Sequence, residues 1–521
     1  MLSCAYSAGI CGIDGFLVTV ECNCAKHMPS FEIVGLPDNA IKEAKERVRS
    51  ACLNSGFGFP NLEIIVNLAP ADIKKEGSAF DLAILISLLQ ASERLGNRED
   101  SLRVDLSDDC FIGELSLSGD VRGVRGALCM AISAKQAGKK RIFVPYENAR
   151  EASVVGGIEV YAVKNAREVV NFLIGIGELE KYTYVPDEHE SEVACPDFAD
   201  VKGQAKAKRA AEIAAAGGHN LLLIGPPGTG KSMIAKRIPS ILPEMSFEES
   251  IETTKVHSIS GILPSDVSLI RTRPFRSPHH TMSTPSLVGG GRIPMPGEVS
   301  LANNGVLFLD EFPEFSKSVT EALRQPLEDG AVTITRTSGR VRYPCSFMLV
   351  CAMNPCRCGY RGHPTHECTC SDTEVRKYIG KISGPLLDRI DIQIEVPSLS
   401  YNELSGSDKT EEPSSEIRKR VNRARQIARE RFKNERTDNG STIYCNAQME
   451  ARHIRKFCQL SESCSKLMER AYNSLGLSAR GHDRILRLAR TIADLAEAEN
   501  IEPRHLAEAI QLRTLDKNYG I

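Results

Sequence analysis

The sequence predicts an α/β fold that ends in an all-α region. Three observations predict this class. Short β-like runs alternate with helical patterns through residues 1–180. An apolar run, a glycine-rich loop and a helical pattern follow one another at residues 221–238. Amphipathic helical patterns fill the chain from Ile417 onward. Because 521 residues are too many for one core, we expect about three domains.

The first predicted domain comprises residues 1–180. Its strands are predicted at Phe16–Val20, Glu63–Asn67 and Arg141–Pro145, and its helices at Asn39–Cys52 and Ala127–Ala137. Residues 184–192 are acidic and show no periodicity, so we expect an interdomain linker at residues 181–198.

Two further domains are predicted after this linker. Residues 199–398 contain the glycine-rich loop and end with a period-two strand at Ile390–Val396. Residues 399–521 begin with a polar loop at Ser405–Ser414 and continue as helices. These helices are predicted at Ile417–Phe432, Leu486–Leu495 and Pro503–Leu515.

The composition is that of an ordinary globular protein. A net charge of −2 provides no global basic field, so any binding of nucleic acid must use local patches. The apolar run Leu82–Leu89 is too short to cross a bilayer, and Met1–Tyr6 lacks the basic start of a signal peptide. We therefore expect a cytoplasmic protein whose 17 cysteines are mostly reduced thiols.

The most informative motif is a complete phosphate-binding loop, Gly-x-x-x-x-Gly-Lys-Ser. Its residues are Gly225, Pro226, Pro227, Gly228, Thr229, Gly230, Lys231 and Ser232. It follows the apolar run Leu221–Ile224 and precedes the helical pattern Met233–Ile238. Glycines let backbone N–H groups approach phosphates, and the helix N-terminus adds a favourable dipole. The sequence therefore predicts a site for a nucleoside triphosphate.

Another strongly apolar strand, predicted at Gly305–Glu311, ends in two carboxylates. Asp310 is expected to hold Mg²⁺, directly or through water, and Glu311 to polarise the attacking water. Acidic residues at a strand end are common, and the alternative is a strand end that is simply exposed to solvent. A phosphate loop earlier in the chain favours the Mg²⁺-binding role.

A further strand, Ser346–Met353, ends at Asn354. An amide at the tip of a neighbouring strand can orient the lytic water and sense the γ-phosphate. The alternative is an asparagine that adopts left-handed geometry in a turn.

Three longer strings resemble a known family. They are Arg273–His280, Val288–Ala302 and Lys381–Asp391. With the motifs above, they resemble the ComM/YifB family of magnesium-chelatase-like AAA+ ATPases over essentially the whole chain. The resemblance implies an AAA+ P-loop core, a Lon-like (S5-type) α+β domain in front of it, and a helical lid domain behind it.

The resemblance also implies roles for particular residues. Lys231 would contact the β- and γ-phosphates of ATP, and Ser232 would contact Mg²⁺. Asn354 matches the first sensor. Arg389, in the string Leu387–Asp391, matches the arginine finger that acts on a nucleotide held by the neighbouring subunit of a homohexameric ring.

The second sensor is implied at Arg480, in Ser478-Ala479-Arg480. Arg484, about one helical turn further on, is the alternative. A solvated cation on a helix would account for either residue without a functional role.

Two segments of the core are candidates for contact with DNA. Residues 271–300 are rich in Gly, Pro, Arg and His, and they resemble an insert in helix 2 of this AAA+ clade. Residues 331–343 predict a hairpin with Arg336, Arg340 and Arg342 near its tip. In related helicases such elements contact single-stranded or branched DNA along its backbone. The alternative is an exposed hairpin kept soluble by arginine.

Two Cys-x-Cys pairs predict a zinc site. Cys356 and Cys358 are separated from Cys368 and Cys370 by nine residues that include Gly359, Gly362 and Pro364. Four converging thiolates suit structural Zn²⁺, although the spacing is tighter than the usual Cys-x₂-Cys. His363 and His366 could substitute for a cysteine, and four free thiols are the alternative.

The front domain resembles the Lon protease fold without its catalytic dyad. Residues 69–82 match the segment around the Lon nucleophile, where Ala79 takes the place of the serine and Ser78 lies beside it. Leu128 stands where the partner lysine is expected, and Lys74 and Lys75 lie on the wrong segment. A serine without its base is not activated, so we expect no proteolysis.

We therefore expect a Mg²⁺-dependent, ring-forming ATPase that moves on DNA. The resemblance suggests branch migration during recombination, as in natural transformation. The alternatives are a metal-insertion partner like that of magnesium chelatase and a protein-remodelling ATPase.

Overall fold

A computed structural model describes most of the chain. The described residues are 1–95, 104–185, 196–291, 294–336, 339–363, 365–399, 411–438, 440 and 442–513. Most of the predicted linker and most of the predicted polar loop at Ser405–Ser414 lie outside these ranges. No helix within the described part combines the length and the apolar character needed to cross a membrane. The described cysteines form no disulfide.

The front segment contains two four-stranded sheets. Its strands are β1 (Leu2–Cys11), β2 (Asp14–Ala25), β3 (Ser30–Val34), β4 (Glu63–Ala69), β5 (Asp109–Phe111), β6 (Glu114–Leu115), β7 (Val121–Arg122), β8 (Arg141–Pro145), β9 (Glu159–Val163) and β10 (Lys181–Tyr182). Its helices are α1 (Asn39–Asn54), α2 (Asp81–Ala91), α3 (Ala127–Gln136), α4 (Ala149–Ser153) and α5 (Ala166–Leu173). The strand orders are β1-β2-β4-β3 and β10-β9-β8-β5.

Helix α2 is the centre of the front core. Every residue from Asp81 to Ala91 is buried, which explains why this stretch shows no amphipathic pattern. Strand β2 instead alternates, burying Val18, Val20 and Cys22 on one face. The front segment therefore has a hydrophobic core of its own.

The central segment is an α/β unit. Its strands are β11 (Leu221–Ile224), β12 (Phe275–Arg276), β13 (Gly289–Gly290), β14 (Met295–Pro296), β15 (Val306–Leu309), β16 (Ala331–Arg336), β17 (Gly339–Pro344), β18 (Met348–Met353) and β19 (Ile392–Glu395). Its helices are α6 (Ala205–Gly217), α7 (Lys231–Ile241), α8 (Phe247–Ser260), α9 (Thr284–Val288), α10 (Glu298–Leu301), α11 (Lys317–Ala322), α12 (Arg324–Asp329), α13 (Asp372–Ile379) and α14 (Gly384–Leu387).

A five-stranded parallel sheet organises this unit in the order β12-β15-β18-β11-β19. Strands β11, β15 and β18 are buried on both faces, as their continuous apolar runs predict. Because all strands are parallel, the residues after Ile224, Leu309 and Met353 meet at one edge of the sheet. This edge carries the predicted phosphate loop, carboxylates and sensor.

The C-terminal segment is helical. Its helices are α15 (Ser414–Phe432), α16 (Ala451–Phe457), α17 (Glu462–Leu475), α18 (Ala479–Leu495) and α19 (Pro503–Gln511). Helix α15 buries Ile417, Val421, Ala424, Ala428 and Phe432, a spacing of three to four residues. These side chains share one core with α6 and α7 of the central unit. The structure thus confirms an α/β protein with a parallel sheet and a helical C-terminal region.

Candidate functional site

The phosphate loop joins β11 to α7 and needs glycine at three positions. Gly228 and Gly230 have φ of 79° and 89°, in the left-handed region that favours glycine. Gly225 faces the residue that follows β19, and a Cβ on it would lie 2.2 Å from the Val396 carbonyl oxygen. Glycine is therefore required at these positions, as the phosphate-loop motif predicts.

Lys231 opens helix α7 and lies almost wholly inside the loop. Its Nζ donates to the carbonyl oxygens of Gly225 at 2.7 Å and Pro226 at 2.8 Å, and to Oδ1 of Asn354 at 3.3 Å. Burial lowers the pKa of Lys231 to about 8, although the nearby Asp310 carboxylate opposes this shift. A buried ammonium whose main partners are loop carbonyls is placed to exchange them for phosphate oxygens.

Ser232 and Asp310 lie in direct contact. The Ser232 hydroxyl donates to Oδ2 of Asp310 at 2.6 Å, and the Glu311 N–H donates to Oδ1 at 2.9 Å. A hydroxyl and a carboxylate are oxygen donors of the kind that Mg²⁺ prefers beside a phosphate. These residues fit a Mg²⁺·ATP complex: Ser232 and Asp310 would hold the metal, which would neutralise charge on the phosphates.

Glu311 is held in an unusual backbone conformation. Its φ is +51°, uncommon for a residue with a side chain, and the side chain is 59% exposed. Its Oε2 lies 3.4 Å from Nδ1 of His280, which in turn packs on His279 with ring centroids 4.2 Å apart. Sequence reasoning gave His280 no role. The only signal was the pair of adjacent histidines at the end of the string Arg273–His280.

Asn354 follows β18, which lies between β15 and β11 in the sheet. The strand order therefore brings Asn354 beside both the carboxylates and the phosphate loop, as its contact with Lys231 shows. The buried side chain of Tyr378 on α13 lies beside the backbone of Asn354. The structure gathers Lys231, Ser232, Asp310 and Asn354 at one edge of the sheet, with Glu311 next to Asp310.

Arg389 lies away from this edge. It precedes β19, and its carbonyl oxygen accepts from the side chain of Asn220, which precedes β11. Its guanidinium is 7% exposed, donates to the Pro385 carbonyl oxygen at 2.6 Å and forms an ion pair with Glu328 of α12. Arg389 therefore does not serve the nucleotide site of its own chain in this structure.

The two candidate second sensors lie on α18, at the same end of the sheet as Arg389. Arg480 is exposed in the first turn. Arg484 lies 3.7 Å from Asp391, immediately before β19, and burial lowers its pKa to about 10. Because Asp391 is at the start of β19, neither arginine is brought to the chain's own phosphate loop.

The four cysteines of the predicted zinc site converge. Their Sγ atoms all lie within 4.8 Å of one another, and neither His363 nor His366 belongs to the group. The cluster follows directly from the sensor strand, since Cys356 is two residues after Asn354.

In the front segment, the positions of the expected protease dyad carry no acid–base group. Ala79 and Leu128 are both buried, and Ser78 donates to Glu114 rather than to a lysine. Lys75 is buried and donates to the Pro70 carbonyl oxygen, while Lys74 pairs with Glu76 at 2.6 Å. The loss of proteolysis therefore stays a prediction, supported by an alanine and a leucine at the two dyad positions.

Three family models match this chain. One described as "Magnesium chelatase, subunit ChlI" matches residues 197–404, and one described as "Magnesium chelatase, subunit ChlI C-terminal" matches residues 411–513. One described as "Subunit ChlI of Mg-chelatase" matches residues 20–148.

Full-length relatives are also found. Competence protein ComM of Haemophilus influenzae is 42% identical over 520 residues, which cover 99% of this chain and 98% of the relative. The uncharacterized protein YifB of Escherichia coli is 41% identical over 518 residues, with 99% and 98% coverage. Lon protease 2 of Bacillus subtilis is 27% identical over 134 residues, 26% of this chain and 23% of that protein. With its nucleotide-binding edge and these full-length relatives, the chain belongs to the ComM/YifB family of magnesium-chelatase-like AAA+ ATPases.

Proposed function

We propose that this protein is a Mg²⁺-dependent ATPase that works as a ring on DNA, in branch migration during recombination. Residues 1–180, 199–398 and 399–521 would be its Lon-like, AAA+ and lid domains, joined by the linker 181–198. The partial match to Lon protease 2 supports a Lon-like front domain. The relative named Competence protein ComM supports the link to natural transformation.

The observation that carries the DNA proposal is a pair of hairpins packed on each other. Hairpin β13–β14 contacts hairpin β16–β17. The Tyr343 hydroxyl of β17 donates to the carbonyl oxygen of Pro294, just before β14, at 2.8 Å. A Cβ on Gly289 would lie only 2.8 Å from Cδ1 of Ile334. Two hairpins in such contact would move as one element.

The outer face of β17 is cationic. Arg340 pairs with Thr335 and Arg342 with Thr333 in the hairpin register, and both arginines are exposed. The side chain of Arg336 and the turn at residues 337–338 lie outside the described residues. Two guanidinium groups on one strand fit successive phosphates of a nucleic-acid backbone without base readout.

Hairpin β16–β17 packs against the strands that carry the carboxylates and the sensor. β16–β17 connects the carboxylate strand β15 to the sensor strand β18, and Val332, Ile334 and Tyr343 share a hydrophobic core with Leu309 and Leu349 of those strands. A change of ATP state at Asp310 and Asn354 would therefore reach the hairpins through packed side chains.

In this proposal Glu311 activates the attacking water and Asn354 orients it. Arg389 and Arg480 would act on the nucleotide of the neighbouring subunit, because both lie away from their own phosphate loop. Arg389 would first leave Glu328. A ring of identical head-to-tail subunits, most simply a hexamer, supplies this arrangement. The cofactors are ATP and Mg²⁺, with one zinc ion at Cys356, Cys358, Cys368 and Cys370.

The test measures the rate of ATP hydrolysis by the full chain under four conditions: without DNA, and with single-stranded, duplex or forked DNA. We expect stimulation that is greatest with single-stranded or forked DNA. ATP hydrolysis with neither stimulation nor DNA binding at low salt would contradict the DNA motor and favour metal insertion or protein remodelling. The Glu311→Gln variant is expected to bind ATP without turnover, and normal turnover would contradict the role of Glu311.

A further inference from the structure

The sulfur cluster of Cys356, Cys358, Cys368 and Cys370 has the dimensions of a metal site. The Cys356–Cys358, Cys356–Cys368 and Cys358–Cys368 Sγ distances are 3.3, 3.6 and 3.5 Å. In a tetrahedral zinc site with Zn–S bonds of about 2.3 Å, sulfur atoms lie about 3.8 Å apart. The sulfur atoms of Cys356, Cys358 and Cys368 are therefore within a few tenths of an ångström of the spacing that zinc needs, and Cys370 Sγ lies within 4.8 Å of each.

The backbone already prepares these sulfurs as ligands. The Gly359 N–H donates to the Cys356 carbonyl oxygen at 3.1 Å, which closes the turn after the first cysteine. A closed turn fixes the directions of the side chains that it carries. The cluster is thus a formed pair of turns rather than four thiols that meet by chance.

The first turn contacts the nucleotide site through Gly359. Its φ is 87°, and a Cβ there would lie 2.9 Å from Cδ of Pro227 and 3.9 Å from Cγ of Asn354. The backbone of Gly359 therefore fills the space between the phosphate loop and the sensor side chain. Displacement of this turn would remove a packing contact from the phosphate loop and from the Asn354 side chain.

The second turn reaches the same sensor through α13. Ser371, next to Cys370, caps this helix with a reciprocal bond to Glu374. Two turns further along this helix, the side chain of Tyr378 is buried beside the backbone of Asn354. Both halves of the sulfur cluster are therefore connected to Asn354 by short contacts.

We propose that zinc bound by these four cysteines positions Asn354 and the phosphate loop, so that ATP turnover depends on zinc occupancy. This inference rests on the ATPase activity proposed above. Zinc acts only by closing the loop of residues 356–370 and takes no part in the chemistry. Loss of the metal frees the two turns from each other, and Asn354 loses the surfaces that hold its backbone and side chain.

The first experiment compares zinc-loaded, zinc-stripped and zinc-restored full-length protein. Metal per chain is measured by mass spectrometry, and Co²⁺ substitution tests for the charge-transfer absorption of a tetrathiolate site. We expect one zinc per chain and about a 10- to 100-fold fall in kcat on removal, because misplacement of a positioning group by about 1 Å costs that much. Restoring zinc should restore kcat, while binding of a fluorescent ATP analogue changes far less.

Matched variants test the route from the metal to the sensor. Cys368→Ser should lose zinc and turnover together, whereas Cys11→Ser, an exposed thiol outside the cluster, should keep both. Gly359→Ala places a methyl group against Pro227, so it should lower kcat in protein that still holds one zinc. Gly362→Ala is its control, because Gly362 has a similar φ of 78° but faces Glu395, 3.7 Å from its Oε1.

Each outcome decides one question. Zinc-stripped protein with unchanged kcat would overturn this inference and leave the ATPase intact. Purified protein with reduced thiols that takes up neither zinc nor Co²⁺ would also overturn it, as would iron in place of zinc. Zinc-loaded protein without ATP hydrolysis under any condition would instead contradict the proposed function.

Discussion

Lys231 shows how burial prepares one residue for its ligand. Its ammonium is almost wholly buried with carbonyl partners, and burial lowers its pKa to about 8. A bound polyphosphate favours the charged form and raises that pKa. Above about pH 8, free protein has lost the proton that the complex retains, so ATP binding takes up a proton.

This difference predicts a pH dependence of ATP binding. The dissociation constant should be nearly constant up to about pH 8 and then rise about tenfold per pH unit, as expected for one coupled proton. Calorimetric titration in buffers of different ionisation enthalpy measures both affinity and proton uptake. Lys236→Arg, an exposed change on the same helix, should keep this slope. Lys231→Arg should lose it, and a slope that persists in Lys231→Arg would exclude Lys231 as its source.

At the scale of elements, the hairpin β16–β17 carries the charge that the proposed function needs. The double change Arg340→Ala with Arg342→Ala removes two exposed guanidinium groups. The slope of log K against log salt for DNA binding should decrease in magnitude by about 1.4 to 1.8, because each phosphate contact contributes about 0.7 to 0.9. Fluorescence anisotropy at several salt concentrations measures it.

The matched control for the hairpin is Arg423→Ala. Arg423 is exposed on α15 and pairs with Glu497, away from the hairpins. It should leave the salt slope unchanged. An equal decrease in both proteins would show that DNA contact is spread over the surface rather than confined to the hairpin.

Elements defined by local patterns could be predicted from the sequence. Strands β8 and β11 match their predicted bounds, and α1 and α3 differ by at most two residues, because apolar runs and periodicity are local signals. The predicted strand Gly305–Glu311 is shorter, ending at Leu309, since Glu311 has a positive φ that no strand accommodates. The predicted helix at Pro503–Leu515 ends at Gln511.

Pairings between distant residues could not be predicted. The contact of His280 with Glu311 and that of Arg389 with Glu328 join different elements. No periodicity encodes which loop meets which strand end, because tertiary packing decides it. The phosphate loop was predictable because one contiguous motif contains most of its geometry.

At the scale of the whole molecule, the front segment is packed against the ATPase around Leu128, the residue that the Lon resemblance aligns with the lysine of the protease dyad. Leu128 shares a small core with Val154 and with Leu269 of the central unit. Beside it, the Gly126 N–H donates to the Ser258 carbonyl oxygen at 3.2 Å, and Ser258 donates to the buried Glu151. The position that this resemblance aligns with a catalytic lysine is here part of an interface.

This interface predicts energetic coupling between Leu128 and Leu269. Each change to Ala should lower the free energy of unfolding by about 2 to 4 kcal/mol, and the double change should cost about 0.5 to 2 kcal/mol less than the sum. Denaturant unfolding of the four proteins measures the cycle. Leu85→Ala, buried on α2 away from the interface, should be additive with Leu269→Ala. Additivity of Leu128→Ala with Leu269→Ala would contradict the coupling.

The position of Arg389 leads to the last prediction, which concerns the assembly. Arg389→Ala leaves a complete phosphate loop without its finger, and Lys231→Ala leaves a finger without a working phosphate loop. Each protein alone should hydrolyse ATP very slowly, because a finger contributes about 10³-fold or more to kcat. In a random equal mixture, about a quarter of the sites in a head-to-tail ring combine an intact loop with an intact finger, so that share of activity should return. Steady-state hydrolysis after mixing measures it. If the two proteins assemble together without recovery, Arg389 acts within its own chain, through its ion pair with Glu328.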